Sequence, residues 1–345
     1  MIERDPAATR MYREAGEAAD AVRAQLGRNA GLMRDLGVSL RGMAPRAVVT
    51  CARGSSDHAA TYGKYLIETR LGLLTASAAP SVASVYHAPQ DLRDCLFIAI
   101  SQSGASPDLL AAVEAARRDG ARVLALVNEE GSALARAADE CVPLCAGPEE
   151  SVAATKSYIA SLAALAHLVA AWVGDAPLLD ALRYLPMHLE TAWHLPWEAG
   201  AEALREASHL FVIARGVGLG IAQEAALKCK ETCGLHAESF SAAEVRHGPQ
   251  ALLRPDFPAL VLAQDDEARE GVEAVARELV ARGVQVVGAG IDVPGATRLP
   301  TLPAHPVLQP VLLAQAFYRL ANALAVARGL DPDNPPHLHK VTRTL

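Results

Sequence analysis

The chain has 345 residues, 51% of them hydrophobic and only 4% aromatic, with a formal net charge of −7. The length favours two domains. The acidic balance and the scarcity of aromatics exclude a basic footprint or stacking platform for nucleic acid and give no attraction to an anionic membrane, so an anionic ligand has to be held by local amides and hydroxyls.

The first residues, Met1-Ile2-Glu3-Arg4-Asp5, lack the apolar core of a signal peptide. No apolar run is expected to reach the roughly 18 residues of a membrane span. Residues 7–35 have helical periodicity and mixed charge, which predicts an amphipathic lead-in helix. Arg46 to Cys51 is a short β-rich run broken at Ala52-Arg53-Gly54-Ser55-Ser56, with a helix to follow through Glu68. Cys95 to Ile100 is a continuous apolar run, as for a strand buried on both faces of a parallel sheet. It ends in Ser101-Gln102-Ser103-Gly104-Ala105-Ser106-Pro107, where Ser106 suits an N-cap and Pro107 the first helical position. A helix to about Gly120 and a strand at Arg122–Val127 complete an alternating α/β unit.

After a helix over about 157–172 and a helical stretch over 178–208, the pattern recurs 162 residues on. Cys51-Ala52-Arg53-Gly54 falls on Ile213-Ala214-Arg215-Gly216, Phe97–Ile100 on Ala259–Leu262, and Gln102 on Gln264. The expected fold is therefore α/β, with two tandem doubly wound, flavodoxin-like parallel sheets related by an internal repeat. The copies differ at one place: Ser101-Gln102-Ser103-Gly104 is matched by Ala263-Gln264-Asp265-Asp266. Hydroxyls before a helix N-terminus attract phosphate and carboxylates repel it, so the first copy is the anion binder. The stretch Pro294–Pro310 is expected to be a surface loop. The proline-rich tail from Asp331 to Lys340 is expected to drape over the fold.

Three polar loops mark the strand ends of the first copy: Gly54-Ser55-Ser56, Ser101–Ser106 and Ser151–Lys156. In the second copy Glu224, Lys228 and Glu231 share one helical face through spacings of four and three, opposite Ile221, Ala225, Ala226, Cys229 and Cys233. A stripe of this kind is ordinarily solvated. The polar residues that follow, His236-Ala237-Glu238 and Glu244 to Pro249, favour a site. Cys141/Cys145 and Cys229/Cys233 have no histidine to complete a zinc pattern, so core packing in a reducing cytoplasm is expected and no metal.

The segments ARGSSDHA, ISQSGASPD, SVAATKSY, EAALKCKETCGLHAESFSAAEVRHGP and DNPPHLHKVT resemble, in order and over nearly the whole chain, the sugar isomerase (SIS) domain family. Within it the segments resemble the isomerase half of glucosamine-6-phosphate synthase, and a stand-alone chain of this form looks like the SIS-type deaminases. The resemblance implies a hexose 6-phosphate bound by Gly54, Ser55, Ser56, Ser101, Gln102, Ser103, Ser106, Val152 and Ala153. It implies Glu231 as the base between C1 and C2, His247 as the ring-opening group reaching from the neighbour in a homodimer, and Lys228 and Lys340 lining the site, without metal or redox cofactor. The chain is then divided into a lead-in helix (1–35), a phosphosugar-binding subdomain (36–175), a helical linker (176–208), a catalytic subdomain (209–330) and a closing tail (331–345).

Two departures bear on the activity. The chain is expected to enter the lead-in helix directly, without a glutaminase segment, and Ala154 stands where the resemblance implies a sugar-contacting serine. The expected reaction is deamination of glucosamine 6-phosphate to fructose 6-phosphate and ammonia. The alternatives are ammonia-dependent amination in reverse, a fructosamine-6-phosphate deglycase, and a non-enzymatic phosphosugar sensor.

Overall fold

The computed structural model describes residues 5–340. Two all-parallel five-stranded sheets carry the fold. The first holds β1 (Ala47–Cys51), β2 (Thr75–Ser77), β3 (Cys95–Ser101), β4 (Arg122–Val127) and β5 (Glu140–Pro143), in the order β2-β1-β3-β4-β5. The second holds β6 (His209–Ala214), β7 (His236–Ser241), β8 (Ala259–Leu262), β9 (Val286–Ala289) and β10 (Thr297–Leu299), in the order β10-β9-β8-β6-β7. Read from its other end, the second sheet repeats the first strand for strand, with β6 for β1 and β8 for β3. The doubly wound repeat is thus present in the fold, and each sheet reverses its direction of growth beside its first strand.

Central strands are apolar because helices cover both faces: every residue of β3 and of β8 is buried. Phe97, Val113 and Ala116 pack one face of the first sheet, and Phe211, Val275 and Leu279 one face of the second. The short or polar edge strands β2, β5, β7 and β10 are additions to the sequence reading. His236-Ala237-Glu238 lies on the edge strand β7, where His236 and Glu238 are exposed and 3.5 Å apart. That polar run is a charge-blunted sheet edge.

The chain forms two compact units that interleave in sequence. The first-repeat unit comprises Asp20–Glu149, Ser157–Tyr184 and residues 339–340; the second-repeat unit comprises residues 5–19, Glu150–Lys156 and Leu185–Leu338. The lead-in is three elements, a 3-10 turn Pro6–Ala8 and the helices Arg10–Gly16 and Ala18–Met43. The stretch Pro294–Pro310 includes the paired strand β10 and the start of the helix Gln309–Ala327, so it is more than a surface loop. In the tail, Asp333 accepts the N–H groups of Arg10 and Met11 (2.8 Å each) and so caps the helix Arg10–Gly16. Against expectation, Lys156–Val173 and Gln309–Ala327 are each long and apolar enough to cross a membrane. Most of each is buried within the protein, as in core helices.

Candidate active site

In the first-repeat unit the serine loops sit at the carboxyl ends of adjacent strands. The helix Ser55–Leu71 starts directly after Gly54, which has φ of +53° and supplies no side-chain cap. Within this first turn the Asp57 and His58 amides donate to the Gly54 carbonyl (3.0 and 3.3 Å). After β3, the Ser101 Oγ accepts the Gly104 N–H (3.0 Å) and the Ser103 Oγ accepts that of Ala105 (3.3 Å). Ser106 occupies the N-cap of the helix Pro107–Arg118 without using its hydroxyl there. Ser56, Gln102 and Ser106 are half-buried. Loop and helix ends together present neutral donors.

Lys340, also in this unit, lies 3.2 Å from the carboxylate of Glu149, whose side chain is 0% exposed. Glu149 also accepts the Ser157 N–H (3.2 Å) and O–H (2.6 Å) at the start of the helix Lys156–Val173. The carboxylate caps the helix and holds the lysine at once. Sequence reasoning missed Glu149.

In the second-repeat unit the helix Leu219–Cys233 is closed by Gly234, left-handed with φ of +58°. Its small residues Ala222, Ala225, Ala226 and Cys229 are buried. The Glu-Lys-Glu stripe is buried as well: Glu224 and Lys228 side chains are 1% exposed, and Glu231 is 21% exposed. The Lys228 ammonium lies 3.3 Å from Glu224 and 2.5 Å from Glu231, and the Tyr318 hydroxyl donates to Glu224 (3.0 Å). Burial opposes the Lys228 charge, but the two carboxylates outweigh it and raise its pKa above the usual lysine value. One cation thus holds two carboxylates. Glu231 is the member that reaches solvent. Lys228 is buried against its two carboxylate partners.

His247 follows the 3-10 turn Glu244–Arg246 and is exposed, its N–H donating to the Glu244 carbonyl (2.9 Å). Val152 is half-buried and Ala153 buried in a loop whose amides at Glu150 and Ser151 donate to Glu14 (2.6 and 3.0 Å). Glu14 was another omission of the sequence reading. A cavity of about 500 Å³ at the carboxyl ends of β8 to β10, lined by Arg269, Arg298, Leu299 and Leu312 among others, contains none of the expected residues. The six cysteines are free. Burial pushes the Cys51 thiol up to about 12, and a hydrogen bond donated to Cys233, followed by burial, raises that of Cys229, so neither is a nucleophile near neutrality.

The SIS domain model matches residues 44–171 and 203–291, one match on each sheet. The chain belongs to the SIS domain family. This SIS chain is 37% identical over 319 residues to a glutamine–fructose-6-phosphate aminotransferase (isomerizing) of Symbiobacterium thermophilum, covering 86% of the chain and 51% of that protein. It is 38% identical to the enzyme of the same name from Aeropyrum pernix, over 83% of the chain and 49% of that protein. The chain thus spans about half the length of the curated relatives it matches. Among solved structures, a provisional phosphosugar isomerase from Silicibacter pomeroyi DSS-3 is 42% identical with a TM-score of 0.91, covering 94% of this chain and 100% of that one. The C-terminal domain of a glucosamine-fructose-6-phosphate aminotransferase from Francisella tularensis, at 24% identity and TM-score 0.85, shares the fold over 95% of this chain and 98% of its own.

Proposed function

We propose that this SIS chain is an aldose–ketose isomerase of amino-sugar 6-phosphates that converts glucosamine 6-phosphate and water to fructose 6-phosphate and ammonia. The observation that carries the reading is the buried Glu224–Lys228–Glu231 trio, in which a fixed ammonium holds one part-exposed carboxylate. An aldose–ketose shift needs such a group, one base able to serve two adjacent carbons. Glu231 takes the proton from C2 of the open-chain aldehyde and returns it to C1. The C2–N bond then becomes an imine, which water cleaves to the ketose and ammonia. His247 opens the pyranose ring by moving a proton between O1 and the ring oxygen. Its exposure supports service to a second copy in a homodimer. Ser55, Ser56, Ser101, Gln102, Ser103 and Ser106, with the amides of Val152 and Ala153, hold the phosphate and sugar hydroxyls. Lys340, which donates to Glu149, is the amine that meets the carbonyl in this reading.

The names borne by relatives at 37–38% identity favour one second reading, the same step run towards glucosamine 6-phosphate. The test is ammonia release from glucosamine 6-phosphate, galactosamine 6-phosphate, N-acetylated forms and glycated-amine phosphates. Fructose 6-phosphate and ammonia from the first substrate are expected. Tight binding of phosphosugars with no turnover in either direction would contradict the enzymatic reading and favour a sensor.

A further inference from the structure

One charged contact at the carboxyl ends of β1 and β3 is used by neither the serine loops nor the proton transfer. The register pairs Cys51 with Ala99, so Arg53 and Ser101, each two residues further on, leave adjoining strand ends. Arg53 Nε lies 2.9 Å and Nη2 2.7 Å from Oδ2 of Asp108. The Asp108 side chain is 0% exposed, whereas that of Arg53 is 52% exposed. Asp108 lies in the first turn of the helix Pro107–Arg118, the helix that the loop Ser101–Ser106 leads into. A carboxylate there suits the helix dipole, but it competes with any other anion at the same helix end. Burial removes the water that would otherwise screen it. Asp57, in the first turn of the helix Ser55–Leu71, is a second acid on this edge; burial raises its pKa, while His58 and Arg53 pull the other way.

We propose that the Arg53–Asp108 pair sets the anion affinity of the first-repeat unit. Arg53 cancels the carboxylate built into the receiving helix, and its outward N–H donors contact the phosphate of a bound hexose phosphate. Guanidinium geometry suits both tasks, since two donors engage Asp108 and others remain. The inference rests on the functional reading above, that a hexose 6-phosphate is the ligand. The second repeat supplies a contrast within the same chain. Arg215 and Glu270 stand at the equivalent positions, 162 residues on, and no ion pair joins them among the described residues. There Asp266 accepts the Ala268 N–H (2.9 Å) just ahead of the helix Arg269–Ala281, so the protein's own carboxylate occupies the loop.

The test is calorimetric titration of the full chain with fructose 6-phosphate, with thermal midpoints measured alongside. Arg53→Ala is expected to weaken binding by about 30-fold or more, from a lost charge-assisted contact and the loss of the cation beside Asp108. Asp108→Asn is expected to bind as tightly as the unmodified chain or more tightly. The double variant Arg53→Ala/Asp108→Asn is expected to regain about tenfold over Arg53→Ala, the remaining deficit reporting the direct contact. A double variant no better than Arg53→Ala, or affinities that merely follow the thermal midpoints, would overturn the inference and leave the pair a structural staple. Failure of the unmodified chain to bind fructose 6-phosphate would overturn the functional reading and this inference with it.

Discussion

The two repeats share a strand order and differ in the loop that follows the third strand of each order. After β3 the chain turns at Gly104, with φ of +58°, and a Cβ there would meet the Ser132 Oγ at 2.2 Å. Its amides donate to serine hydroxyls. After β8 the equivalent position is Asp266, which takes the Ala268 amide and the Gln264 side-chain amide (2.8 Å), while the Asp265 N–H donates to Gln309 (2.6 Å). One loop is left with neutral donors, and the other is filled from within. Parallel-sheet geometry requires only that β3 and β8 be apolar throughout, so the loops at their carboxyl ends can diverge without disturbing the sheet. The second repeat carries its buried ion trio elsewhere, on the helix Leu219–Cys233.

The largest effect expected from this contrast is on turnover. Glu231→Gln should lower kcat by about 10³-fold or more, the scale of a lost general base, while fructose 6-phosphate affinity by calorimetry stays within about threefold. An equal loss of affinity would make Glu231 a binding group. Next, Ser101→Ala combined with Ser103→Ala should raise KM by about 10- to 100-fold, as for lost hydrogen bonds to a charged ligand. Asp265→Ser in the second repeat should leave KM unchanged. A rise in both would erase the distinction between the loops.

The repeats should also part company in acid and alkali. His167, in the first-repeat unit, has an Nδ1 without a hydrogen bond, and burial lowers its pKa to about 4. The unfolded chain protonates near 6.5 and the folded one only near 4, so the stability His167 contributes is complete above 6.5 and lost as pH falls through that window. His167→Leu should flatten the fall in stability between pH 6.5 and 4, by up to about 3 kcal/mol in denaturant titrations. Lys228 behaves in the opposite sense. Its raised pKa gives a contribution that is intact below about 10.5 and lost only as pH rises above it. The smallest effect is expected of Tyr318→Phe, which leaves Glu224 without that donor and should cost about 1–2 kcal/mol by the same titration.

The sequence made β1, β3, β4, β6 and β8 legible because a strand covered on both faces must be apolar throughout. Thr75-Ala76-Ser77 and the polar β7 gave no such signal, since an edge strand needs one neighbour and tolerates charge. The spacing of Glu224, Lys228 and Glu231 revealed a shared face, but periodicity does not distinguish a solvated stripe from a buried ion trio. That depended on Tyr318, which lies 94 residues from its partner Glu224. Glu14 and Glu149 were missed for the same reason: an acceptor 136 positions from the loop amide it binds, or a carboxylate 191 positions from its lysine, leaves no local pattern. Ser151, the next amide on Glu14, was visible only as a member of a polar loop.

Hydrogen exchange from solvent into the sugar tests the division of roles most directly. In D₂O, NMR should show deuterium entering C1 of fructose 6-phosphate in the presence of the unmodified chain, and no enzyme-dependent entry with Glu231→Gln although the ligand still binds. Undiminished exchange in that variant would mean that another group carries the proton, and the assignment of the chemistry to the second repeat's helix would fall.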